Sequence, residues 1–343
     1  MNLVERFRKA LAFEPVDRLP MIEWAWYWDK TLDRWYNEGL PRELRDDHDI
    51  REYLGLDNYR QLWISPLAST CPQPADLEAG MIKNIDDYRR LKEHLYPQEL
   101  FDKDALLAWS SMHKSGNLAI WFWLEGFFWF PRRLLGIERH LYTFYDDPEL
   151  MHLINSDLLQ YNLRMVKEIS RYCTPSFLLF GEDLSYNHGP MLSKSCFDEF
   201  LAPYYRKIIP ALKEIGIVPF IDSDGDVATC IPWFKEVGIE GIGPLERMAG
   251  VDVAQIRREH PDFKLIGGFD KTVMHLGEDA IRREFDRLLP VMQQGGYLLS
   301  VDHQTPPEVS LDQYRVYVSL LNEYGSRAVK HTVCGNSACN YKK

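Results

Sequence analysis

The sequence predicts an α/β fold, a single eight-stranded parallel (β/α)8 TIM barrel over residues 1–325. Three observations predict it. Short apolar runs alternate with helix-length amphipathic stretches, the runs number eight, and acidic residues recur just after them. Strands separated by helix-length crossovers pair in parallel. Closing eight of them into a barrel puts all their carboxyl ends on one face. An open dinucleotide-binding sheet fits less well, since neither G-x-G-x-x-G nor G-x-x-x-x-G-K-[ST] occurs.

The elements follow in order. Leu3, Phe7 and Leu11 recur at helical spacing and open the chain with a helix, which Pro15 and Pro20 stop. The eight expected strands are 21–28, 59–65, 117–124, 176–180, 217–221, 239–242, 264–266 and 297–301. The later ones are rich in β-branched or aromatic residues and bounded by Gly, Pro, Asp or Ser. Helical patterns fill 148–172, 196–215 and 279–294. The polar stretches 43–53 and 73–104 decorate the barrel. Residues 326–343 form a tail expected to be poorly ordered, and its Cys334 and Cys339 are weak metal candidates.

Composition narrows the function classes. The 343 residues carry a formal net charge of -11, which argues against nucleic acid as a partner. The longest apolar stretch, 118–130, is interrupted by Glu125 and is too short to span a bilayer. The first residues lack the apolar core of a signal peptide. The six cysteines are scattered without a C-x-x-C pair, which suits reduced thiols and a cytoplasmic location.

Chemistry is expected at the strand ends. Glu125 follows the third strand, Glu182 and Asp183 the fourth, and Asp222 and Asp224 the fifth. Glu246 follows the sixth, Asp270 and Lys271 the seventh, and Asp302 and His303 the eighth. Gathered on one face, these acids repel one another unless a cation, a proton or a basic group intervenes. Taken singly, each also reads as a cap or a turn residue. Two aromatic groups, one with Trp24, Trp26, Tyr27 and Trp28 and one with Trp121 and Trp123, mostly read as packing. The remainder suits an apolar pocket for a planar ligand.

The stretch Glu14-Pro15-Val16-Asp17-Arg18-Leu19-Pro20 resembles the opening of the uroporphyrinogen decarboxylase superfamily. Glu182-Asp183 with Gly189-Pro190, Phe200, Pro203 and Tyr204 is similar to that family too. So is Gly295-Gly296-Tyr297 through Pro306-Pro307. The resemblance spans about residues 3 to 325 and implies a uroporphyrinogen decarboxylase-like (β/α)8 barrel. The family's decarboxylases place Arg after the first strand to hold propionates, where this chain reads Glu23-Trp24-Ala25-Trp26-Tyr27-Trp28-Asp29. They place an Asp at the end of the second strand, where this chain has Trp63-Ile64-Ser65. The family's corrinoid-linked methyltransferases carry a zinc site of His-x-Cys-Gly and a late Cys. Those positions fall on Asp222-Ser223-Asp224-Gly225 and on His303.

The resemblance thus implies a metal-dependent methyltransferase that takes a methyl group from a small, possibly methoxylated aromatic donor. Its metal ligands would be Asp222, Asp224 and His303, holding a divalent ion, zinc first. Glu182 and Asp183 are the catalytic candidates. Trp24, Trp26, Trp123, Glu246 and Asp270 are the substrate-binding candidates. The corrinoid would ride on a separate partner protein. The alternative is a decarboxylase acting on a smaller substrate than uroporphyrinogen, with Glu182 or Asp302 as a proton donor of raised pKa. A non-catalytic binding protein is a third reading, which the crowded acids disfavour.

Overall fold

A computed structural model describes residues 1–74, 79–99 and 103–335, with side chains to Val329. Parts of the 73–104 stretch, the tail from 336 and the side chains of both Cys334 and Cys339 lie outside the described residues. The chain divides into two compact units. One holds Met1–Arg60, Ser115–Ala119 and Gly241–Lys343, and the other Gln61–Lys114 and Ile120–Glu240. Among the described residues no helix is long and apolar enough to cross a membrane.

In the middle unit, β1 (Tyr59–Ile64, entering from Arg60), β2 (Ala119–Glu125), β3 (Phe177–Gly181) and β6 (Val218–Asp222) lie in the order β1-β2-β3-β6. A two-residue ribbon, β4 (Ser185–Tyr186) with β5 (Gly189–Pro190), sits between β3 and β6 in sequence. β2, β3 and β6 are parallel, and β2 and β3 are buried along their whole length. Full burial explains why they read as continuous apolar runs rather than alternating ones. The crossovers are helices. Pro148–Ile169 opens on Asp147, whose carboxylate accepts from Leu150 N, with proline in its first turn. The helix expected across 196–215 is two helices, Lys194–Phe200 and Ala202–Glu214, broken at Leu201. Pro203 offers no amide hydrogen there, so a new helix starts where the old ladder stops.

In the other unit, β7 (Gly241–Gly243), β8 (Lys264–Phe269) and β9 (Tyr297–Val301) are parallel neighbours in that order. The helices Val253–Glu259, Glu278–Met292 and Leu311–Gly335 accompany them. The last runs through residue 325 without a break, across the boundary drawn above between barrel and tail.

Seven of the eight expected strands form, and the first does not. Residues 21–28 run outside any strand because side chains take their backbone groups. Met21 N donates to Asp57 Oδ2 and Tyr27 N to Asp47 Oδ2. The Tyr59 hydroxyl bonds both Glu23 N and Glu23 O, and the Arg51 guanidinium donates to Ala25 O at 2.6 Å. Backbone groups satisfied this way have no need of a neighbouring strand. The alternating tryptophans supplied a strand-like pattern without that ladder.

Glu23 anchors the segment. Its carboxylate is buried and accepts from Tyr314 Oη at 3.0 Å and Val301 N at 3.2 Å. Burial pushes its pKa up to about 7, against the pull of those donors and of the Arg51 charge. A carboxyl raised on folding binds its proton more tightly in the folded state. Stability therefore falls as pH rises from the unfolded value near 4.5 to about 7, and the penalty is complete above that. Glu23→Gln should remove this descending limb. Its stability relative to the parent should improve by about 3 kcal/mol between pH 4.5 and 8 in urea unfolding. A pH-independent difference would contradict the assignment.

Candidate functional site

The register of the middle unit builds a row. Glu125 pairs with Gly181, and Gly181 with Asp222. Paired residues of a parallel sheet project to the same face, so Glu125, Gly181 and Asp222 share one level at the carboxyl ends. Gly181 leaves a notch in this row, and the Trp63 ring from the end of β1 fills it. A Cβ on Gly181 would stand 2.8 Å from Trp63 Cη2. Trp63 Nε1 donates to Glu125 Oε1 at 3.1 Å, and the Arg133 guanidinium binds the same oxygen.

Asp222 is the most burdened acid of the row. It is 6% exposed, and Trp123 Nε1 donates to its Oδ2 at 2.6 Å. Burial first, then the charges of Asp183 and Asp224, hold its pKa well above the usual carboxylate range. Asp183 sits at φ 40°, a left-handed backbone that a non-glycine residue rarely adopts, and its Oδ1 accepts from Asp224 N at 3.3 Å. Three of the expected acids thus meet within this unit. Trp123, expected against a substrate, is buried and instead aims the Asp222 carboxylate.

Glu182 departs from expectation. Its carboxylate accepts from the backbone amides of Phe127, Phe128 and Trp129 at 2.9, 2.7 and 3.1 Å, and from the Tyr205 hydroxyl. Four donors fill a carboxylate, so no lone pair is left for a metal or a transferring proton. Burial pushes its pKa up to about 7 while all four donors favour the charged form. Its work is to fasten the turn after β2. Gly126 belongs to that device, because a Cβ there would stand 2.2 Å from the Glu182 carboxyl carbon.

The other unit repeats the device after β9. Buried Asp302 accepts from Arg247 N at 2.9 Å and Lys271 N at 3.3 Å, tying the segments after β7 and β8. Lys271 Nζ lies 3.4 Å from Glu246 Oε1 and 3.7 Å from Asp302 Oδ1, offsetting both charges. Burial raises Asp302 to about 6, with Lys271 and the two amides opposing. Asp270 serves as a helix cap. Its Oδ1 accepts from Thr272 N and Thr272 Oγ1, the N-cap of the short helix Lys271–Leu276. His303 is half-buried with its ring edge-on to Trp24, centroids 6.2 Å apart. Trp26 is 39% exposed and packs on His48 and under the Arg51 guanidinium.

The sequence reading passed over Trp63, Arg133 and the fastening role of Asp302. Trp63 was within reach, since it sits at a strand end like the acids.

Glu182→Gln, which turns an acceptor into a donor against an amide hydrogen, should cost about 2–4 kcal/mol of stability by chemical denaturation. Metal bound per folded chain should stay as in the parent. A stable variant that has lost metal would mean that Glu182 is a ligand after all.

The chain was compared with known proteins. A family model described as Uroporphyrinogen decarboxylase (URO-D) matches residues 132–324. The uroporphyrinogen decarboxylase of Pseudomonas putida (strain GB-1) is 24% identical over 193 residues, 53% of this chain and 51% of that protein. That of Pseudomonas savastanoi pv. phaseolicola (strain 1448A / Race 6) matches to the same extent. The chain spans about half the length of the curated relatives it matches. A solved methyltransferase from Methanosarcina mazei superposes with a TM-score of 0.65 at 17% identity, covering 94% of this chain and 99% of that one. At that identity the likeness speaks for the fold alone. The family match covers more than half of the sequence and agrees with the resemblance drawn from its motifs, so the chain belongs to the uroporphyrinogen decarboxylase family.

Proposed function

We propose that this chain is a metal-dependent methyltransferase of the corrinoid-linked branch, built on a (β/α)8 barrel and acting on a small methoxylated aromatic. One observation carries the reading. Asp222 is buried, aimed by Trp123 and crowded by Asp183 and Asp224. Carboxylates crowded against a buried one ask for a positive charge between them, and a divalent cation is the compact one.

The donor types suit such an ion. Trp123 takes Oδ2 of Asp222, which leaves Oδ1 to coordinate, and the hydrogen bond fixes the carboxylate's orientation. The proposed ligands Asp222, Asp224 and His303 would offer carboxylate oxygens and an imidazole nitrogen, a hard-to-borderline set suited to zinc or manganese. Bound there, the cation supplies Lewis acidity toward the ether oxygen of the donor. Asp183 holds the Asp224 backbone, and Glu182 and Asp302 fasten the neighbouring turns. Trp24 steadies the His303 ring. The methyl acceptor is a corrinoid on a separate protein. The Methanosarcina mazei neighbour, itself a methyltransferase, shares the fold.

The second reading is a carboxy-lyase. It is favoured by the names of the relatives and by Asp302, a buried acid raised to about 6. Two amides and Lys271 already occupy that acid, which suits a fastener better than a proton donor. The segment from Glu23 to Asp29 also lacks the arginines that a tetra-acid substrate requires.

Asp222→Asn and His303→Ala should each lower metal affinity by about 100-fold or more while the chain stays folded, read by elemental analysis and circular dichroism. Metal-dependent methyl transfer from methoxybenzene to a corrinoid protein should fall in parallel. Release of CO₂ from uroporphyrinogen at an enzymatic rate, in protein stripped of metal, would replace this reading with the second.

A further inference from the structure

We propose that Trp63 is the stacking platform for the aromatic ring of the substrate, a role that rests on the methyl-donor reading above. Three features mark Trp63. It is half-buried at the carboxyl end of β1, whereas Trp121 and Trp123 are buried on β2. Its one polar atom is satisfied by Glu125 Oε1, so the exposed part of the indole is hydrocarbon. It is also clamped in place. One neighbour is the parallel ring of Trp123, at 6.0 Å between centroids and 4° between planes. Another is the notch at Gly181, where any side chain would collide with its six-membered ring.

A clamped aromatic loses little freedom when a ligand stacks on it, which is the condition for a useful platform. Its neighbours define what stacks there. Trp63 bonds Glu125, Glu125 shares its row with Asp222, and the stacked partner Trp123 bonds Asp222. The platform and the crowded carboxylates are therefore linked through two rings and one strand level. A flat apolar body stacked on Trp63 meets carboxylates at its edge, which favours a neutral aromatic and repels an aromatic acid. One oxygen of Glu125, Oε1, is itself taken by Trp63 and Arg133.

The test is binding of small neutral probes to the full chain by saturation-transfer NMR, with no corrinoid partner and with metal removed. Methoxybenzene should bind more tightly than methoxycyclohexane, which has similar size and no ring face. Trp63→Leu should weaken methoxybenzene about tenfold and abolish the preference, whereas Trp63→Phe should hold it within about threefold. Gly181→Ala, which displaces the ring without removing it, should also weaken methoxybenzene and leave methoxycyclohexane unchanged. Equal affinity for the two probes in the parent, or an unchanged preference in Trp63→Leu and in Gly181→Ala, would overturn the assignment. Methyl transfer fails separately. Aromatic binding without transfer would sink the methyltransferase reading alone, and transfer from methanol without aromatic binding would sink the platform and the aromatic donor while leaving methyl transfer standing.

Discussion

A carboxylate taken out of water must find hydrogen-bond donors, a proton or a cation, and the carboxyl ends of these strands depend on how each acid meets that demand. Glu182 meets it with three backbone amides and a tyrosine hydroxyl. Asp302 meets it with two amides and a lysine. Glu125 takes an indole and a guanidinium. Each draws its donors from a neighbouring turn or strand, so satisfying the acid also fixes the backbone around it. Asp222 differs. Among the described residues its hydrogen-bond donor is an indole, and two further carboxylates press on it. That imbalance is what a bound cation would correct.

The fasteners explain why the crowded acids can be held together at all. Three carboxylates on flexible loops would swing apart and hydrate. Here Glu182 pins the turn after β2, and the amides of Glu182 and Asp183 both donate to the Asp222 carbonyl, so the ends of β3 and β6 move as one. The left-handed backbone of Asp183 is part of the same tie. Strain of this kind persists only where surrounding bonds over-determine it.

Much of this was legible in the sequence. Seven strands and the main crossover helices follow from apolar runs and their punctuation, because burial on both faces leaves a strong signal. The acids after the strands were visible too. Their division of labour was not, since Glu182 and Asp222 read alike in one dimension and differ only in what surrounds them. The N-cap role of Asp270 was hidden because an N-cap and a site residue share one letter. The 21–28 segment was misread as a strand because its partners, Asp57, Tyr59, Arg51 and Asp47, are side chains, and periodicity carries no trace of them. Trp63 hid for a similar reason. Its meaning comes from the absence of a side chain at Gly181, more than a hundred residues away.

The central claim is that the Asp222 carboxylate is built to receive a cation on the oxygen that Trp123 leaves open. Anomalous scattering from crystals grown with Mn²⁺ tests it most directly. The account predicts one peak bonded to Asp222 Oδ1, about 2.0–2.2 Å away, with Trp123 Nε1 still on Oδ2. Asp222 and Trp123 unchanged, with no anomalous density at either carboxylate oxygen under saturating metal, would contradict it.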